Sequence, residues 1–116
     1  MARGSVETDA LIDSGATRSL FSASIAQLIG IDDIADTELG RGEPFKSVAG
    51  ESFMGYPHKI GIAIPRMHEF ETIVYFSRGI PEGTAVLGMS GFFDRFIVTI
   101  DVNKEIVELI PIDRKN

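Results

Sequence analysis

The stretch Ala10-Leu11-Ile12-Asp13-Ser14-Gly15-Ala16-Thr17 decides how the rest of the chain is read. Three apolar residues run directly into an acidic one, and short turn-forming residues follow. Asp is almost never buried unless it is paired or hydrogen-bonded. Ser14, Gly15 and Thr17 fold a backbone back easily and offer donors to a carboxylate. The pattern predicts a carboxylate held at the end of a buried strand, Ala10 to Ile12. The same residues also suit a plain Asx-turn that closes a strand and asks nothing more of Asp13.

Working outward, Gly4 to Asp9 is polar and reads as a short strand through Val6. On the other side, Phe21, Ile25, Leu28 and Ile29 recur at helical spacing and predict an amphipathic helix over Ser19 to Ile29. Ser19 or Ser22 is placed to cap its start and Gly30 to end it in a left-handed cap. The acidic run from Asp32 to Glu38 reads as a solvated loop. It lacks the alternating oxygen ligands and turn glycine that a calcium loop needs.

Phe45 to Tyr56 reads as a hairpin turning at Ala49-Gly50-Glu51, with Phe45 and Val48 on one arm and Phe53 and Tyr56 on the other. Lys59 to Ile64 alternates, with Ile60, Ile62 and Ile64 on one face. Pro65 to Glu69 is a turn. Phe70 to Phe76 carries apolar residues on both faces, which suits a strand buried on both sides or one reaching a subunit interface. Gly79, Pro81 and Gly83 mark Ser77 to Thr84 as a loop. The two histidines, His58 and His68, read as surface residues in turns and make a poor metal set without cysteine. Val86 and Leu87 form a short strand ending at Gly88. Gly91 to Phe96 suggests a short helix with inward aromatics. Ile97 to Ile100 and Ile106 to Ile110 make a last hairpin, and the tail after Pro111 is polar.

A chain of 116 residues reads as one domain, 1–116, with a modest core. There is no cysteine, so disulfide and thiolate chemistry are excluded. No apolar run is long enough for a membrane span, and the first residues lack the apolar stretch of a secretory signal. The default expectation is a cytoplasmic location. The formal net charge is −6, and the 11 basic residues are scattered. That argues against nucleic acid as a partner. No metal and no cofactor are expected.

Leu11-Ile12-Asp13-Ser14-Gly15-Ala16 resembles the catalytic motif of aspartic proteases, two hydrophobic residues followed by Asp-Thr/Ser-Gly-Ala/Ser. Ala85-Val86-Leu87-Gly88 resembles the hydrophobic-hydrophobic-Gly element that crosses behind the catalytic loop in that family. Their order in so short a chain is similar to the retropepsin-like branch. The resemblance covers about residues 4–111 and implies an all-β lobe with one or two short helices. It departs from the pattern in one respect: almost nothing stands before Gly4, where the family has a further strand that often helps join two subunits.

The resemblance implies roles. Asp13 would be the catalytic carboxylate in a loop over 13–17. Ser14 would brace the twin loop across a dimer, Gly15 would bring its backbone N–H to Asp13, and Ala16 would keep the turn small beside the substrate. The hairpin at about 45–56 would be a mobile flap, with Gly50 at its tip and Phe53 and Tyr56 meeting apolar side chains of a peptide. Val86 and Leu87 would line or support the cleft, and Gly88 would allow close passage behind the loop.

Peptide hydrolysis by carboxylates needs two, one as base on water and one protonated on the carbonyl. No second Asp-Thr/Ser-Gly turn occurs here: Asp94 and Asp101 both lack the following residues. A second catalytic Asp must then come from an identical subunit across a two-fold axis. The expectation is a homodimeric aspartic endopeptidase acting on extended peptides. A non-catalytic peptide-binding or dimerisation domain with the same fold is the alternative. A carboxylate glycosidase is disfavoured by the lack of an aromatic sugar platform beside a second acid.

Overall fold

The computed structural model describes residues 4–47 and 49–112. Val48, placed by the sequence on the first arm of the hairpin, lies outside the described residues, as does the tail beyond Ile112. The protein is all-β with few short helices. The elements are β1 (Leu11–Ile12), β2 (Leu20–Ser22), α1 (Ala23–Leu28), β3 (Glu43–Lys46), β4 (Ser52–Ile64), β5 (His68–Ser77), β6 (Ala85–Leu87), a 3-10 turn (Phe93–Arg95), β7 (Phe96–Asp101) and β8 (Ile106–Pro111). Among the described residues they form a six-stranded sheet of order β1-β6-β2-β5-β4-β3 and a separate two-stranded sheet, β7-β8.

The long strand β4 links two regions. Its start, Ser52 to Gly55, pairs with β3, and Tyr56 to Ile64 pairs with β5. The alternation of Ile60, Ile62 and Ile64 is realised, because this face meets the core while Gly61 and Ala63 face out. The core centres on Phe21, Ile25, Val74, Phe76, Phe92 and Phe96. Phe21 meets Phe76 edge-on at 5.9 Å, and Phe70 meets Phe96 edge-on at 5.3 Å. Each such buried side chain contributes about 1.5–3 kcal/mol.

Several sequence expectations are corrected. The helix over Ser19 to Ile29 is shorter, Ala23–Leu28, because Leu20 to Ser22 is a strand. Leu20 and Phe21 lie between β5 and β6 and pair with both, and that pairing overrides the helical periodicity. Gly30 does close the helix, at φ +95°, with Ile31 N–H bonded back to the Ala26 carbonyl at 2.9 Å. Gly4 to Asp9 forms no strand. The strand before Asp13 is short and half open: Leu11 is 61% exposed, since β1 lies at the sheet edge.

His58 is not a surface residue. It lies buried in β4, its Nε2–H donates to the Ile34 carbonyl at 2.7 Å, and its ring packs edge-on against Phe76. His68 is half-buried, stacked on Phe70 and edge-on to Phe96. The doubly apolar strand β5 pairs along its length with β4 on one edge, and over Tyr75–Ser77 with β2 on the other.

Candidate functional site

The Asp13 loop connects β1 to β2, and β6 runs between those two strands. β6 pairs parallel with β1, Leu11 against Val86 and Ile12 against Leu87, and antiparallel with β2. Two segments that flank Asp13 are thus tied to one distant strand. Asp13 N–H donates to the Leu87 carbonyl at 2.9 Å, which fixes the backbone where the carboxylate emerges. The Asp13 Oδ1 accepts the Gly15 N–H at 2.8 Å, and Ala16 N–H closes the turn on the Asp13 carbonyl at 3.1 Å. The carboxylate's own contact is local, as an Asx-turn predicts. What is not local is the bracing behind it.

That bracing comes from the residues after Leu87. Met89 N–H donates to the Ala16 carbonyl at 2.8 Å, and Ser90 N–H to the Thr17 carbonyl at 2.9 Å. Gly88 passes so close that a Cβ there would lie 2.4 Å from the Arg18 carbonyl oxygen and 2.7 Å from that of Ala16. Only glycine fits such an approach. Ser19 completes the crossing. It is fully buried, accepts the Gly88 N–H at 3.1 Å, and donates its hydroxyl to the Ser90 carbonyl at 3.0 Å. Gly91 is also confined: at φ +97° its Cβ would lie 2.7 Å from the Ile73 carbonyl oxygen, and its own carbonyl accepts from Thr72 Oγ1 at 2.8 Å. Asp13 is partly exposed and Ser14 and Gly15 are exposed, so the loop is rigid at its back and open at its front.

The expected hairpin is present as β3 and the start of β4. Phe45 lies opposite Phe53, and the rings stack at 5.7 Å. The turn is closed by Ser47 N–H to the Glu51 carbonyl, with Gly50 at φ +88°. Phe53 rests on Gly79, and Tyr56 on Gly42. Val86 is half-buried in the middle of the crossing, whereas the Leu87 side chain lies in the core. Ala16 is half-buried in the loop.

Arg18 links the loop to this hairpin. It follows the Asp13 turn, bridges to Ser90, and makes an ion pair with Glu43 of β3. Its guanidinium lies 5.0 Å from the centre of the Tyr75 ring. The hydrogen bond from Arg18, and a second from the Tyr75 hydroxyl, hold the Glu43 carboxyl below the usual carboxylate range. The bond to Glu43 raises Arg18 further. Burial, then the bond to Glu43, pushes the Tyr75 phenol up. Both charged side chains are more than a third exposed, so solvent screens the pair. The sequence carried no sign of this cluster, because its members come from the loop, β3 and β5. Ser19 was likewise missed as a brace. Its small polar side chain in an apolar run is the one local signal.

A cleft of about 1210 Å³ lies between Gly4–Ala10 and the Ile60–Ile64 face of β4. A smaller hollow of about 230 Å³ lies beside α1 and the 77–82 loop. Asp13 lines neither. Among the described residues no group of three or more His, Asp or Glu side chains is placed to hold a metal ion. No described helix is long and apolar enough to cross a membrane. No protein-family model, no curated protein and no solved structure matches the chain.

Proposed function

We propose that this chain is one half of a homodimeric, retropepsin-like aspartic endopeptidase. The observation that supports it most is the crossing behind Asp13. An Asp-Ser-Gly turn, with Gly15 N–H on the carboxylate, is pinned from behind by Gly88 and Ser19. A carboxylate used only to close a turn has no need of so costly a support. Fixing a reacting group to within a fraction of an ångström does need it.

In this reading the Asp13 carboxylates of two copies share one proton. The ionised one takes a proton from a bound water as the water attacks the peptide carbonyl. The protonated one hydrogen-bonds the carbonyl oxygen, and a proton then passes to the leaving amine. The substrate is an extended peptide, held by backbone hydrogen bonds with the β3–β4 hairpin closing over it. The open front of the loop suits a site that two chains complete.

The test is turnover of an extended apolar peptide by the unmodified chain and by folded Asp13→Asn, Asp94→Asn and Asp101→Asn across pH 3 to 8. The unmodified chain gives a bell with its maximum on the acidic side of neutrality. Asp13→Asn abolishes turnover, and the other two variants keep most of it. Undiminished turnover in Asp13→Asn would falsify the mechanism.

A second reading is a peptide-binding or dimerisation domain that keeps the fold without catalysis. Its support is the absence of a strand over Gly4 to Asp9 and the cleft left beside β4. Peptide binding without turnover by the unmodified chain marks that outcome.

A further inference from the structure

Tyr75 N–H donates to the Ser19 carbonyl at 2.9 Å, toward β2 and away from β4. Its partner in β4, Pro57, therefore points its own carbonyl away from β5, and that carbonyl accepts the Thr37 hydroxyl. In an antiparallel pair, the residues that turn N–H and C=O outward alternate with those that bond across it. Lys59, Gly61 and Ala63 are in phase with Pro57, so their backbone groups project from the outer edge of β4. β3 covers that edge only over Ser52 to Gly55. Among the described residues nothing bonds the backbone of Lys59, Gly61 or Ala63 there. The cleft of about 1210 Å³ runs along this edge: residues of both strand faces line it without a gap from Lys59 to Pro65. Its far wall is Gly4 to Ala10. That segment is anchored by Gly4 beside the Leu28 carbonyl and by Leu11 paired with Val86. Between the anchors, the backbone of Ser5 to Thr8 bonds no described residue. Phe21, Ile25 and Ile29 add apolar lining beside Ile60, Ile62 and Ile64. A row of unpaired N–H and C=O groups over an apolar trough is a template for another strand.

We propose that this cleft binds an extended peptide of about six residues, which adds an antiparallel strand to β4 between Lys59–Ile64 and the Gly4–Ala10 segment. The peptide's backbone bonds Lys59, Gly61 and Ala63. Cross-strand partners share a face, so peptide residues opposite Ile60, Ile62 and Ile64 turn toward the apolar lining and are apolar themselves. Those opposite Gly61 and Ala63 turn the other way. There Glu7, Asp9 and Glu71 outnumber the one cation of the cleft, Lys59, which is itself 3.8 Å from Glu71. These positions therefore suit basic side chains, and the position opposite Lys59 suits a neutral one. The volume exceeds the ~300–1,000 Å³ of sites for drug-sized molecules, which favours a length of chain over a small ligand. Asp13 does not line this cleft. The site rests on the peptide-binding reading above only for its class of ligand, and a catalytic chain can carry it equally.

The probe is the peptide acetyl-Val-Lys-Val-Lys-Val-Thr-amide, titrated into the full chain and followed by amide exchange. Binding slows exchange of the Gly61 and Ala63 amides at least tenfold. Glutamate in place of both lysines weakens binding at least tenfold. Methylating the two lysine nitrogens, which face β4 in this pairing, abolishes it while the protein stays unmodified. Gly61→Pro removes an outward donor where a Cβ would meet nothing within 4 Å. It weakens binding at least tenfold with an unchanged circular dichroism spectrum. Four results overturn the proposal: no binding of the probe up to near-millimolar concentration, equal binding of the N-methylated peptide, equal binding of the glutamate peptide, or Gly61→Pro binding as the wild type does. Self-association of the chain through the same amides also overturns it, because the occupant is then a second copy. A probe that binds but protects amides elsewhere overturns this site and leaves the peptide-binding reading standing. Binding here by a chain without turnover leaves the site standing and removes the protease reading.

Discussion

Gly88→Ala tests the crossing behind Asp13. The added Cβ would lie 2.4 Å and 2.7 Å from two backbone carbonyl oxygens, where ordinary contact begins at 3.4 Å. Neither oxygen belongs to a flexible side chain, so the strand or the loop must shift by nearly an ångström. Overpacking of this kind costs about 1–3 kcal/mol. The shift also stretches Gly88 N–H to Ser19, Met89 N–H to Ala16 and Ser90 N–H to Thr17, each worth about 1 kcal/mol net. The expected loss is about 3 kcal/mol, a fall of about 10–15 °C in Tm for a domain of this size. The control is Gly61→Ala. It lies in β4 with nothing within 4 Å of its would-be Cβ, so it is neutral or gains up to about 1 kcal/mol by relieving glycine's entropy cost. Urea and thermal unfolding of both variants give the difference. Gly88→Ala within about 0.5 kcal/mol of wild type, the usual span for a neutral surface change, would refute the claim that the crossing is tightly packed.

Other predictions concern groups that the sequence left obscure. His58→Phe keeps a ring against Phe76 but leaves the Ile34 carbonyl without its donor. It should cost about 1–3 kcal/mol in urea unfolding, and no measurable cost would mean that the bond is idle. The Glu43 carboxyl is held below its ordinary range by Arg18. Its stabilising effect is therefore present above that range and fades as pH falls through the depressed value. In melts from pH 7 to pH 2, Glu43→Gln should lie below wild type at neutral pH and converge with it at the acid end, and parallel curves contradict the pairing. The hairpin should exchange its amides faster over 49–55 than β4 does over 60–64. Gly79→Ala, whose Cβ would lie 2.4 Å from that of Phe53, should speed the hairpin further. Equal protection in both segments counts against a mobile hairpin.

Much of the architecture is legible along the chain because it is governed locally. The Asp-Ser-Gly turn, the Gly50 tip between Phe45 and Phe53, the alternating isoleucines of β4 and the Gly30 cap each follow from residues within a few positions of one another. The errors fall where a distant partner decides. Phe21 has helical spacing to Ile25, yet it is a strand residue because β5 and β6 flank it. His58 reads as a polar turn residue, yet a carbonyl from the 31–37 loop waits for it inside.

The sequence by itself determined the strand-rich class, the positions of the turns and the Asp-Ser-Gly turn at Asp13. Turn conformations and face alternation are set by each residue's own steric and hydration preferences, and those are written in short windows. Only the tertiary structure decided that β6 passes between β1 and β2, that Ser19 and Gly88 hold the Asp13 loop from behind, and that Arg18, Glu43 and Tyr75 meet. Hydrogen-bond pairing and close packing between segments some 70 residues apart depend on which surfaces face each other after collapse. No local preference specifies that choice, since each segment alone is satisfied equally well by water.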